Sequence, residues 1–211
     1  MTFKALASVF LAVGLIFYAG AKAQAQSISL VGFGDSLMAG YELPPEQAFP
    51  ARLEKLLRDK GHDVVIANAG VSGDTTADGL ARLDWSIPDG TQGVILELGA
   101  NDALRGLSPE ESRVNLESML KRLKERRIPV LLVGILAPPN MGTDYEQKFN
   151  PIYKDLAAHY AVPLYPFFLD GVTLQPDLQL KDGMHPNGAG TIAMAEKFLS
   201  AAETFLKSLT P

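Results

Sequence analysis

The chain has no cysteine, three histidines and one tryptophan. Without cysteine there is no disulfide, no thiolate nucleophile and no thiolate metal ligand. With so few histidines, an imidazole base has to be His62, His159 or His185. Basic residues are also scarce: 19 Lys and Arg stand against 24 Asp and Glu, a formal net charge of −5. A surface of that sign is a poor partner for nucleic acid or anionic lipid. Repeats, heptads and low-complexity tracts are missing, and beyond the N-terminus no apolar run is long enough to cross a membrane.

The N-terminus itself is unlike the rest. Lys4 makes a positive start, residues 6–19 are almost wholly apolar, and Ala21-Lys22-Ala23 and Ala23-Gln24-Ala25 are small-x-small cleavage signals. This pattern predicts a secretory signal peptide over 1–25, cut after Ala23 or Ala25, and a mature domain at 26–211 that is periplasmic or secreted. The apolar run is shorter than the ~20 residues of a spanning helix, which argues against a retained anchor. The segment carries Lys4 and Lys22 and no acid, so its removal takes the formal charge to −7.

The remainder reads as one domain. Short apolar runs at 27–33, 64–67, 94–98, 129–136 and 162–165 predict strands. Helical spacing at 47–60, 75–83, from Ser108 onward, at 144–160 and at 187–209 predicts the helices between them. Ser108-Pro109-Glu110-Glu111 reads as a helix start with a capping box completed by Glu111, and Pro151 as a kink within 144–160. The strands are continuous apolar runs, as when both faces are covered. The expected fold is α/β: a three-layer α/β/α sandwich around a parallel sheet of about five strands. Ligands in such sheets bind outside the carboxyl ends of the strands. Those ends carry Gly34-Asp35-Ser36, Asn68-Ala69-Gly70, Gly99-Ala100-Asn101-Asp102 and Ala137-Pro138-Pro139-Asn140.

A hydrolytic serine needs a base and an acid that orients the base. Gly34-Asp35-Ser36-Leu37 follows the first strand, and Asp182-Gly183-Met184-His185-Pro186 places a carboxylate within one turn of an imidazole. Each of these is also explained by helix capping and turn chemistry. The same holds for Asn101 and for the glycine of Ser72-Gly73-Asp74-Thr75. His62 reads as a solvated loop residue and His159 as a helix C-terminal residue meeting the helix dipole. Dinucleotide binding is not expected: Gly32-x-Gly34 lacks the third glycine, with Leu37 in its place, and the second strand ends in Asn68 rather than an acid. The G-x-S-x-G elbow is absent, because Met38 follows Leu37.

Taken in order, four blocks resemble the SGNH (GDSL-type) hydrolase family: Gly34-Asp35-Ser36-Leu37, Ser72-Gly73-Asp74-Thr75-Thr76, Leu98-Gly99-Ala100-Asn101-Asp102 and Asp182-x-x-His185-Pro186. The resemblance covers nearly all of 28–208 and is closest to bacterial periplasmic multifunctional esterases. Ala100 and Ala103 stand where glycines are common. The resemblance implies Ser36 as nucleophile, His185 as general base and acid, Asp182 as its orienting carboxylate, and an oxyanion hole from the Ser36 and Gly73 amides and the Asn101 side chain. It implies hydrolysis of carboxylic esters and thioesters through an acyl-enzyme, of arylesterase, thioesterase or lysophospholipase type, with no metal or organic cofactor. The expected partner is a small acyl ester or thioester, bound by a monomer, with no stable membrane insertion after the signal is cut. The acyl group is expected against Leu104, Leu107, Leu136, Pro138, Pro139 and Met141. Two other readings are a carbohydrate O-acetylesterase and a non-catalytic periplasmic binding protein on the same fold. Few aromatic residues in the loops weigh against the first, and four intact blocks against the second.

Overall fold

The computed structural model describes residues 27–209, so the signal peptide expected at 1–25 lies outside the described residues. Five parallel strands, β1 (Ile28–Gly34), β2 (Val64–Gly70), β3 (Gly93–Glu97), β4 (Val130–Val133) and β5 (Leu164–Tyr165), form one sheet in the order β2-β1-β3-β4-β5. The α/β sandwich expected from the sequence is thus present. Eight α-helices are described: α1 (Ser36–Ala39), α2 (Phe49–Asp59), α3 (Thr76–Ser86), α4 (Ala100–Leu104), α5 (Pro109–Glu125), α6 (Thr143–Phe149), α7 (Ile152–Tyr160) and α8 (Gly188–Leu209).

Helices α2 and α8 pack together on one side of the sheet, and α3, α5 and α7 on the other. After β1 the chain turns toward β2 at one edge; after β3 it runs toward β5 at the other. The order therefore reverses between β1 and β3, and the loops leaving those two strands diverge around a crevice. The core is contiguous. Phe33, Leu96 and Leu132 from the strands are fully buried with Phe49, Leu53 and Phe198 from α2 and α8 and with Leu120, Leu123 and Leu156 from α5 and α7. Phe49 meets Phe168 and Phe198 edge-on at 4.7 and 5.2 Å between centroids, a favoured aromatic geometry.

Several boundaries differ from those expected. β2 runs on to Gly70, so Asn68-Ala69-Gly70 belongs to the strand rather than to a loop. It is an edge strand and alternates buried and exposed residues in its first half, instead of being covered on both faces. β4 stops at Val133 and β5 has two residues, because Pro163 and Pro166 bracket β5 and cannot donate to a ladder. The helix expected at 144–160 is two helices. Pro151 has no N–H for the preceding turn, and the Asn150 side chain instead accepts the Ala137 N–H at 2.8 Å. At Ser108 only one arm of the expected capping box forms: its Oγ accepts the Glu111 N–H but donates to Glu110. A full capping box lies at Thr75 and Asp78, where the Thr75 side chain takes the Asp78 N–H and the Asp78 carboxylate takes the Thr75 N–H.

Candidate active site

The first strand delivers Ser36 to the crevice. β1 ends at Gly34, where a β-carbon would collide with the Glu97 carboxyl and its backbone oxygen, so only glycine fits. Asp35 then caps α1, its Oδ1 accepting the Leu37 N–H at 3.0 Å. Capping and presentation of Ser36 therefore coexist in one turn. Asp35 is fully buried, and burial is the main reason its carboxyl is raised from 3.8 to about 6; the Leu37 amide, His185 and Asn101 pull it the other way.

From the far end of the chain, a tight loop brings His185 over Ser36. Residues 179 and 186 pair across it, and the Leu180 N–H donates to the His185 carbonyl at 2.7 Å. Asp182 Oδ1 accepts the amides of Met184 and His185 at 2.9 and 3.0 Å. Its Oδ2 lies 2.6 Å from His185 Nδ1, and His185 Nε2 lies 2.8 Å from Ser36 Oγ. The acid–imidazole–hydroxyl chain is thus continuous. Burial pushes the Asp182 carboxyl up, but its hydrogen bonds from Met184 and His185 outweigh it and hold the group below the ordinary carboxylate value. The Tyr41 ring covers the imidazole at 4.5 Å between centroids, and the Tyr41 N–H is tied to the Ser36 carbonyl at 3.2 Å.

The loops after β2 and β3 close the other side. Asn101, in the first turn of α4, donates through Nδ2 to the Asp74 carbonyl at 2.9 Å and to Asp35 Oδ2 at 3.3 Å. Arg105 Nη2 donates to the Gly73 carbonyl at 2.8 Å. Gly73 takes φ +89°, a left-handed backbone that only glycine adopts readily. Neither the Ser36 nor the Gly73 amide N–H meets an acceptor among the described residues. Buried Asp102 fastens this corner, accepting from the Thr76 N–H, the Thr76 hydroxyl and the Ser112 hydroxyl. Arg82 lies over Phe33 and bonds to Asp74 and to the carbonyls of Gly34 and Ala69.

Of the residues expected to face an acyl chain, Leu104, Leu107 and Leu136 are exposed, Pro139 is exposed, and Pro138 and Met141 are half-buried. None is in the core. The Met141 methyl lies over Gly106 and the Tyr145 hydroxyl donates to the Leu107 carbonyl at 2.8 Å, so the segments after β3 and β4 touch. The other histidines are elsewhere. His62 faces Glu203 at 3.2 Å, a partner not foreseen for a solvated loop residue, and His159 sits in the last turn of α7 against Tyr160. Among the described residues no group of three His, Asp or Glu side chains is arranged to hold a metal ion.

Sequence reasoning did not single out Tyr41, Arg82, Glu97 or Asp102. A carboxylate ending an otherwise apolar strand, as Glu97 does, was the one available signal.

A Ser–His–Asp chain at the carboxyl edge of a parallel sheet is the arrangement of a serine hydrolase. The family model for the GDSL-like lipase/acylhydrolase family matches residues 33–191, and the chain belongs to that family. It is an ester hydrolase. It is 42% identical over 173 residues to an arylesterase of Vibrio mimicus, covering 82% of this chain and 86% of that protein. It is 41% identical over 164 residues to esterase TesA of Pseudomonas aeruginosa, covering 77% and 82%. Among solved structures, the SGNH-hydrolase family esterase AlinE4 superposes with a TM-score of 0.73 at 45% identity, over 90% of this chain and 100% of that one.

Proposed function

We propose that the protein is a serine esterase that hydrolyses small carboxylic esters and thioesters through an acyl-enzyme on Ser36. The observation that carries this reading is the unbroken chain from Asp182 Oδ2 through both ring nitrogens of His185 to Ser36 Oγ, at 2.6 and 2.8 Å. Ser36 Oγ attacks the acyl carbon as its proton passes to His185 Nε2. The imidazolium is held in orientation by Asp182 and then gives that proton to the leaving alkoxide or thiolate. Water, deprotonated by the same nitrogen, cleaves the acyl-enzyme and returns the proton to Ser36. The oxyanion is received by the free amides of Ser36 and Gly73 and by Asn101 Nδ2, whose longer contact, to Asp35, is the one that yields. Arg105 holds the Gly73 peptide and Asp102 anchors the turn that carries Asn101, so apart from that one contact these donors are in place before charge develops.

The exposed Leu104, Leu107, Leu136 and Pro139, with the half-buried Pro138 and Met141, support an acyl side that is apolar and open, and hence tolerant of chain length. Hydrolysis of p-nitrophenyl acetate tests the reading: Ser36→Ala is expected to lose at least about 10⁴-fold in kcat while remaining folded. Retention of activity would refute it. A series from acetyl to palmitoyl on oxygen esters, CoA thioesters and lysophospholipids, with acetylated sugars alongside, then fixes the preferred substrate.

We also infer export from the leader-like residues 1–25. No described helix is long and apolar enough to cross a membrane. N-terminal sequencing of the exported protein is expected to begin at Gln24 or Gln26; Met1 in the mature protein would contradict this.

A further inference from the structure

Directly beneath the Ser36 turn lies a carboxyl group that the mechanism above does not use. Glu97, the last residue of β3, has no solvent exposure. Its Oε2 accepts the Asp35 amide N–H at 3.3 Å and occupies the space left by Gly34. Its other oxygen, Oε1, is buried with no hydrogen-bond partner among the described residues.

Among the described residues no cation pairs with it. From the β1–α1 turn Asp35 faces it, a second fully buried carboxyl. From α7 the buried Tyr153 hydroxyl donates to the Leu98 carbonyl at 2.8 Å and not to Glu97, and Asp102 of α4 is a further carboxyl acting on Asp35 and Tyr153. His185 also acts on Asp35, favouring its charged form. Arg82 of α3 reaches this region, but its donors go to Asp74, Ser86 and the carbonyls of Gly34 and Ala69. An unpaired buried carboxylate costs several kcal/mol, and two adjacent ones resist ionising together. Burial first, and the Asp35 charge second, hold the Glu97 carboxyl well above its ordinary value.

We propose that Glu97 works as an uncharged acid, a positioning residue whose carbonyl oxygen anchors the Asp35 peptide and so fixes the Ser36 amide and hydroxyl that follow. Kept neutral, it holds the turn without setting a further negative charge beneath the point where the oxyanion forms. The functional part of this inference rests on the serine-esterase reading; the protonation state does not.

Glutamine reproduces a neutral glutamic acid, with a carbonyl oxygen to accept the Asp35 N–H, whereas alanine removes the acceptor. On p-nitrophenyl acetate, Glu97→Gln is expected within about three-fold of the parent in kcat, and Glu97→Ala at least about ten-fold down with KM little changed. The pH–kcat profiles of the parent and Glu97→Gln are expected to superimpose through the neutral range. Independently of activity, the infrared spectrum at neutral pH should show a buried protonated carboxyl band that Glu97→Gln lacks. An absent band, a Gln variant as damaged as the Ala variant, an Ala variant with the parent's kcat, or a Gln profile displaced in the neutral range would each overturn the proposal. Should Glu97→Ala fail to fold, the infrared band and the Gln profile decide it. A parent without esterase activity but with the band would fail the serine-esterase reading and leave the neutral carboxyl standing.

Discussion

Asp182 uses its two oxygens for two tasks: Oδ1 gathers the Met184 and His185 amides and shapes the loop, while Oδ2 holds the His185 ring. Asp182→Asn keeps an oxygen for the amides but no longer offers a carboxylate to Nδ1. It should therefore fold, and lose about 10³–10⁴-fold in kcat; kinetics and thermal unfolding on one sample check both halves. By contrast His62→Ala and His159→Ala, distant from Ser36, should stay within a few-fold of the parent. Asp35 carries a stability signature. Its folded carboxyl is raised from 3.8 to about 6, so its contribution is fully present below the lower value and is lost as pH rises through the higher one. Asp35→Asn, which keeps the acceptor for the Leu37 N–H, should show a flatter fall in unfolding free energy across that window in denaturant titrations. A fall parallel to the parent's would assign the titration elsewhere. At this scale the sequence was informative where chemistry concentrates in short blocks: Ser36, Asp182 and His185 were named from them. It was silent on Glu97 and Arg82, whose meaning lies in partners more than 45 residues away, Asp35 and Gly34.

Among the elements, the corner joining α3, α4 and α5 bears on the site most directly. Asp102 accepts from two donors of Thr76 and one of Ser112 without exposure to solvent, and the residue before it is Asn101. Removing the carboxylate leaves buried donors unpaired, so Asp102→Ala should cost about 2–4 kcal/mol in urea unfolding. It should lower kcat as well, because Asn101 loses its footing. Thr75→Ala at the adjacent capping box should cost about 1 kcal/mol with a smaller effect on rate. If Asp102→Ala unfolded at the parent's urea concentration, the corner would not bear this load. The strands and the long helices were legible because apolar spacing alone produces them. The short helices α1 and α4 were not, since four or five residues hold no periodicity. The division between α6 and α7 was half legible: Pro151 marked a kink, but the capture of Asn150 by the Ala137 amide is a tertiary event.

For the whole molecule, sheet order does the assembling. Because the order reverses between β1 and β3, Ser36 and Asn101 leave neighbouring strands into one crevice, and the segment before α8 returns across it with Asp182 and His185. Residues 149 apart in sequence thereby share a hydrogen bond. The alternation of strands and helices made the layers legible in advance. The strand order and the edge position of β2 were not, because pairing is set by crossovers and packing that no local pattern encodes. The central claim is that this convergence makes Ser36 the nucleophile. Treating the folded protein with a fluorophosphonate and mapping the adduct by mass spectrometry tests it most directly. The adduct is expected on the peptide containing Gly34-Asp35-Ser36, and expected to be nearly lost in His185→Ala. Labelling of a different serine, or none in the folded parent, would contradict it.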